Sequence, residues 1–76
     1  ANPLSSAERK ELRALPDTIE TLETRIAELE AEFNAPGFYD RPQTEIRAAS
    51  ERVAAAEREL ETALARWETL EARQGR

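Results

Sequence analysis

Apolar residues fall at Leu12, Leu15, Ile19, Leu22, Ile26, Leu29 and Phe33, with steps that alternate three and four without a slip. That alternation is a heptad seam, with a positions at 12, 19, 26 and 33 and d positions at 15, 22 and 29. A helix carrying such a stripe needs a partner to cover it. The same rhythm returns at Ile46, Ala49, Val53, Ala56, Leu60, Ala63, Trp67 and Leu70. In this second run the d positions are mostly Ala, which lets two helices approach closely. Two amphipathic helices joined by about eight residues predict an all-α, antiparallel two-helix coiled-coil hairpin. The longer helix should reach roughly 40 Å at ~1.5 Å per residue.

Punctuation along the chain sets the expected boundaries. Ala1 to Leu4 read as an unstructured start, and Ser5 followed by Glu8 has capping-box spacing. Pro16 interrupts the heptads, and Pro removes an amide donor and clashes with the preceding turn. The expectation is therefore a short extra N-terminal helix over about 6–14 and a long helix over about 16–34 that restarts at Pro16, with Asp17 and Glu20 favourable to its dipole. Ala35-Pro36-Gly37 cannot continue a helix, which places a tip loop at about 35–41. Asp40 is the expected N-cap of the second long helix, about 42–73, with fraying from Arg73 to Arg76.

Charges select the register. With Leu29 facing Val53, Ile26 facing Ala56, Leu22 facing Leu60, Ile19 facing Ala63, Leu15 facing Trp67 and Leu12 facing Leu70, the flanking pairs are Glu11–Arg73, Arg25–Glu59 and Glu32–Arg52, all of opposite sign. A one-heptad slip would set Arg25 against Arg52 and Glu32 against Glu45. Each exposed pair contributes only about 0.2–1 kcal/mol, but together they separate registers of similar apolar content.

Composition removes most chemistry. Seventy-six residues make one small domain with 39% hydrophobic and 36% charged residues, the balance of a long helix or coiled coil. Cys and His are both absent, which excludes disulfides, thiolate metal sites and the commonest general base. The sixteen acidic residues lie at ordinary helical spacings, with nothing to tune them into a catalytic pair, so they read as a solvated face. Gly37 and Gly75 alone form no phosphate loop. No apolar run approaches the ~20 residues of a membrane span, and a cytoplasmic setting is the default expectation. Without an initiator Met, the chain reads as a fragment of a larger protein. No catalytic, cofactor-binding or metal-binding residue is expected within it, and the hairpin should be monomeric in isolation.

The formal net charge of −5 disfavours a uniform basic footprint for nucleic acid, yet the cations are unevenly placed. Residues 1–16 and 66–76 each carry +1, leaving −7 between them. Antiparallel folding brings Arg9, Lys10 and Arg13 to the same open end as Arg66, Arg73 and Arg76. These residues, with Arg41 and Arg47 near the tip, are the candidate phosphate contacts, weighed against ordinary solvated charge. Trp67 occupies an a position and is expected in the core rather than stacked on a base. Phe38 and Tyr39 are expected to fold back as a plug over the hairpin end, the competing role being an exposed recognition tip.

The run Leu4-Ser5-Ser6, then Glu11-Leu12-Arg13-Ala14-Leu15-Pro16, the tip Asn34-Ala35-Pro36-Gly37-Phe38-Tyr39, and the ending Glu59-Leu60-Glu61 through Ala65-Arg66-Trp67-Glu68-Thr69-Leu70-Glu71 resemble the C-terminal domain of ABC-F ATPases of the Uup type. The similarity covers nearly the whole chain. The resemblance implies a parent with two ATP-binding cassettes, ATP and Mg bound in those cassettes, action on the translating ribosome, and an appended arm that touches DNA or ribosomal RNA. The coiled-coil arm of valyl-tRNA synthetase, a tRNA-binding arm of an aminoacyl-tRNA synthetase, has a similar aromatic loop, although the Arg-Trp-Glu ending favours the ABC-F family. The other class is a purely structural or protein-interaction hairpin.

Overall fold

A computed structural model of the protein describes residues 3–74, so the expected fraying at Gly75 and Arg76, and the place of Arg76 itself, lie outside the described residues. Two long helices make the fold, α1 (Ser6–Ala31) and α2 (Gln43–Gln74), joined by two short 3-10 turns, Glu32–Asn34 and Phe38–Asp40. They lie antiparallel in a rod of 54 × 16 × 16 Å.

The seam is buried in part, with Ile26, Leu29, Phe33, Ile46 and Val53 half-buried toward the tip. Leu12, Leu15 and Leu22 are buried on α1, and Ala49, Ala56, Ala63 and Leu70 on α2. Ile19, Leu60 and Trp67 pack against the cluster that Leu12, Leu15, Leu22, Ala63 and Leu70 form. Spacing of seven between the Ala residues gives α2 a flat row that meets the branched side chains of α1, and Leu70 closes it at 0% exposure. Each fully buried Leu contributes about 1.5–3 kcal/mol relative to exposure, so the core near Leu12, Leu15 and Leu70 dominates the local energetics.

Three boundaries differ from expectation. First, α1 runs unbroken through Pro16, so no separate short helix precedes it. The heptad phase explains this: Leu12, Leu15 and Ile19 keep their three-four steps across the Pro, and only a continuous helix holds all three on α2. Pro16 lies on an exposed face of α1, and the seam outweighs the ~3 kcal/mol of a helix-interior Pro. Second, Leu4 is not part of a loose start but is 7% exposed and belongs to the core cluster. Ser5 caps α1 with a full capping box with Glu8, which directs the preceding residue back onto the seam. Third, Asp40 does not cap α2. It lies in the second 3-10 turn, donating its N–H to the Gly37 carbonyl, and the Pro42 carbonyl accepts the first α2 bonds from Glu45 and Ile46.

The tip turns on Gly37, whose φ of 78° and ψ of 3° belong to the left-handed region. Phe38 donates its N–H to the Ala35 carbonyl, so Pro36 and Gly37 are the central pair of a tight turn that needs positive φ at its second central position.

The cross-helix charges follow the expected register at one end and change partners at the other. Glu32 meets Arg52 at 3.5 Å as expected. Glu11 takes Arg66 instead of Arg73, and Arg73 takes Glu8. Arg25 and Glu59 form no ion pair among the described residues. Arg73 is drawn toward the helix start because Glu8 and the Pro3 carbonyl both lie within its reach.

Replacing Pro16 with Ala restores an amide donor on a solvent-facing turn that is already helical. The substitution should stabilise the hairpin by about 1–3 kcal/mol, read as a rise in thermal midpoint of about 4–8 °C per kcal/mol. An unchanged or lowered midpoint would show that α1 is not strained at Pro16.

Candidate nucleic-acid interface

Both ends of the rod gather aromatic and basic side chains, but they use them differently. At the open end, Glu8 and Glu11 lie one turn apart on α1 and face Arg66 and Arg73, two turns apart on α2. The Arg66 Nε donates to Glu11 Oε2 at 2.8 Å and its Nη2 to Oε1 at 3.0 Å. Arg73 Nη1 donates to Glu8 Oε2 at 2.7 Å and Nη2 to Oε1 at 3.2 Å. Both are forked guanidinium–carboxylate pairs, the strongest geometry available to these groups. Arg66 Nη2 also stands 3.8 Å from Glu8, linking the two pairs, and Arg73 Nη2 donates to the Pro3 carbonyl at 3.4 Å.

The pairing moves the titrations. Hydrogen bonding from Arg73, and then from the Ser5 N–H, pulls the Glu8 carboxyl down to about 2. The Arg66 hydrogen bond lowers Glu11, and Glu11 in turn raises Arg66. Two of the candidate phosphate contacts, Arg66 and Arg73, therefore spend their charge within the hairpin. Pairing with both Glu8 and Glu11 escaped the sequence reading, which matched Glu11 to Arg73 by heptad position alone. The capping-box role of Glu8 was the available signal, because it fixes that carboxylate beside the end of α2.

Arg9, Lys10 and Arg13 remain exposed on the first turns of α1, and none forms an ion pair among the described residues. Arg9 gives one donor, Nη1, to the Leu4 carbonyl at 3.0 Å.

At the tip, the aromatic pair is split. Phe38 is 1% exposed and meets Phe33 edge-on at 4.8 Å between centroids. Tyr39 stands on Phe38 at 5.0 Å and 86°, with 70% of its surface exposed. The plug is thus Phe38 alone, and Tyr39 is presented outward. The split follows from the short 3-10 turn, in which adjacent side chains diverge and cannot share one buried face. Arg41 lies over the Phe38 ring at 5.2 Å and pairs with Glu32 at 3.2 Å, so its charge also serves the fold. Arg47 is exposed and forms no ion pair among the described residues.

Two grooves flank the seam, and neither was visible in the heptad pattern. The larger, about 850 Å³, has Leu15, Leu22 and Ala63 in its floor and Thr18, Thr62 and Arg58 in its walls. Short Thr and Ala side chains beside the seam, at 18, 21, 55 and 62, were its only sequence signal. The smaller, about 340 Å³, lies on the opposite flank at the open end, between Arg9, Arg13 and Pro16 of α1 and Trp67, Glu71 and Gln74 of α2. No helix among the described residues is long and apolar enough to cross a membrane.

The family described as the ABC transporter C-terminal domain matches residues 3–72. The chain is 44% identical over 68 residues, 90% of its length, to two Haemophilus influenzae proteins, ATP-binding protein Uup-like and ATP-binding protein Uup, of which the match covers 15% and 10%. It is 36% identical over 72 residues, 95% of its length, to ATP-binding protein Uup of Escherichia coli, covering 11% of that protein. The chain thus spans only a small fraction of the length of these curated relatives. No solved structure matches it.

The open-end pairs make stability depend on acid pH. Glu8 titrates lower in the folded hairpin than in the unfolded chain, so its stabilisation is present above about pH 4.5 and is lost as pH falls toward about 2. Glu8→Gln keeps the capping geometry but removes the charge, and the thermal midpoint of that variant should fall less between pH 5 and pH 2 than that of the parent chain. Equal acid limbs would remove Glu8 as a source. At the tip, Phe38→Ala should cost about 3–5 kcal/mol by chemical denaturation, whereas Tyr39→Ala should stay within about 0.5 kcal/mol. Equal costs at the two positions would contradict the split described here.

Proposed function

The chain belongs to the ABC transporter C-terminal domain family, with relatives of the Uup type, and from that premise we propose that it is the nucleic-acid-contacting arm of a larger ATP-binding protein. In this reading the hairpin itself performs no catalysis. ATP and Mg are bound and ATP is hydrolysed in cassettes elsewhere in the parent. The arm works as a monomeric hairpin in the cytoplasm, and DNA or ribosomal RNA is the polymer it meets.

The observation that carries the proposal is the division of cations at the open end. Arg66 and Arg73 are neutralised by Glu11 and Glu8, which leaves Arg9, Lys10 and Arg13 as an exposed basic trio over little more than one helical turn. Cations that are held neither by a carboxylate nor by burial are the ones that can exchange counter-ions for phosphates. The local excess is small and the remainder of the rod is acidic, so binding is electrostatic, modest and confined to this end. Arg47 and the outward Tyr39 form a second, weaker candidate at the tip.

A structural or protein-interaction hairpin is the competing function, favoured by the −7 carried between residues 17 and 65. Titration of labelled duplex DNA, branched DNA and ribosomal RNA at two salt concentrations separates the two. Nucleic-acid binding should weaken with salt, and replacing Arg9, Lys10 and Arg13 together with Ala should reduce the log–log salt slope on duplex DNA by about 2–3, near 0.9 for each lost phosphate contact. Binding that ignores salt, or no binding at all, would leave the structural function standing, and salt-dependent binding that survives the triple replacement would move the contact to the tip.

A further inference from the structure

A cluster of cations does not distinguish one nucleic acid from another, because duplex and single strand both present phosphate. The surroundings of two of these cations are more selective. Arg9 and Arg13 lie four residues apart on α1, so they sit on one face with about 5–6 Å between their Cβ atoms. Both line the 340 Å³ groove, and across from them α2 contributes Trp67 and Gln74. Pro16 lines the groove one turn beyond Arg13. Its volume falls at the lower end of the roughly 300–1,000 Å³ of small-ligand clefts.

Trp67 is the unusual member. It packs against the Leu core on one side and lines the groove on the other, so it is only half-buried at a seam position. An indole fixed by a core and open along one side needs no ordering to act as a stacking surface. Base–aromatic stacking requires a base with a free face, which a single strand offers and an intact duplex does not. Gln74 adds an amide able to donate or accept at a base edge. Glu71 is the one opposing charge in the groove among the described residues, and it limits how tightly phosphate is held there.

We propose that this groove is a single-stranded nucleic-acid site, with a base stacked on Trp67 and the adjoining phosphates held by Arg9 and Arg13. The proposal rests on the nucleic-acid reading above and specifies which form of the polymer is taken and where. The groove selects against duplex because the stacking partner is unavailable in a paired helix, while the basic trio alone would accept either form.

Trp67 is the only Trp in the chain, so emission excited beyond the absorption of Tyr39 reports on this groove alone. The full chain is titrated with labelled oligothymidylate of about twelve residues and with a duplex of equal length, reading anisotropy for binding and Trp emission for stacking. Oligothymidylate should bind more tightly than duplex at the same salt and should quench Trp67. Trp67→Leu should weaken oligothymidylate roughly 5- to 100-fold, the equivalent of about 1–3 kcal/mol of stacking, and leave duplex affinity unchanged. Glu71→Gln should tighten it. Should Trp67→Leu lose its helical signal in circular dichroism, the quench in the parent chain and its loss in Arg9→Ala/Arg13→Ala decide the matter. Salt-dependent binding of both forms with equal affinity and unchanged emission would overturn the groove site and leave the arm's broader function intact. Absence of binding to either form would overturn both.

Discussion

The structure depends on the fit between the branched stripe of α1 and the row of Ala on α2. Ala49, Ala56 and Ala63 recur every seven residues and are buried, and Ala63 with Leu70 meets Leu12, Leu15, Leu22 and Ile19 in one cluster. This contact holds two helices together in a 54 Å rod, with no sheet or third layer among the described residues. It also explains why Pro16 is absorbed. A helix that must present apolar residues on both sides of a Pro to one partner gains more by staying straight than by breaking, because a kink would remove a whole turn from the seam.

Electrostatics finish what the seam begins. Forked pairs at the open end tie the start of α1 to the end of α2, and Glu32 holds both Arg41 and Arg52 at the tip. Such pairs are individually weak in water, yet they sort the cations into two populations. Those facing the partner helix become structural, and those facing away stay available. The proposed function rests on this sorting more than on the count of basic residues, since a chain with net charge −5 can present a phosphate-binding face only where its carboxylates are turned inward or already paired.

The two ends consequently differ in character. The tip is a built aromatic stack, Phe33 to Phe38 to Tyr39, with a guanidinium over its middle ring and one phenol displayed. The open end is a charged clasp beside a groove with a tryptophan wall. The rod therefore carries different chemistry at its two ends.

The apolar rhythm alone determined the hairpin, because heptad spacing fixes which residues share a helix face and two such faces in one short chain have few ways to be covered. It likewise determined the burial of Leu12, Leu15, Leu22 and the Ala row, and Pro36-Gly37 determined the turn, where only a residue free to take positive φ closes the loop. Local rules misplaced the helix boundary at Pro16 and the looseness of Leu4, since both are settled by contacts with α2 that no neighbouring residue announces. Which arginines are paired, which of Phe38 and Tyr39 is hidden, and that Arg9, Arg13 and Trp67 border one groove were decided only by the tertiary structure. Those outcomes depend on side chains from distant parts of the chain reaching a common point, and heptad letters specify faces without specifying reach.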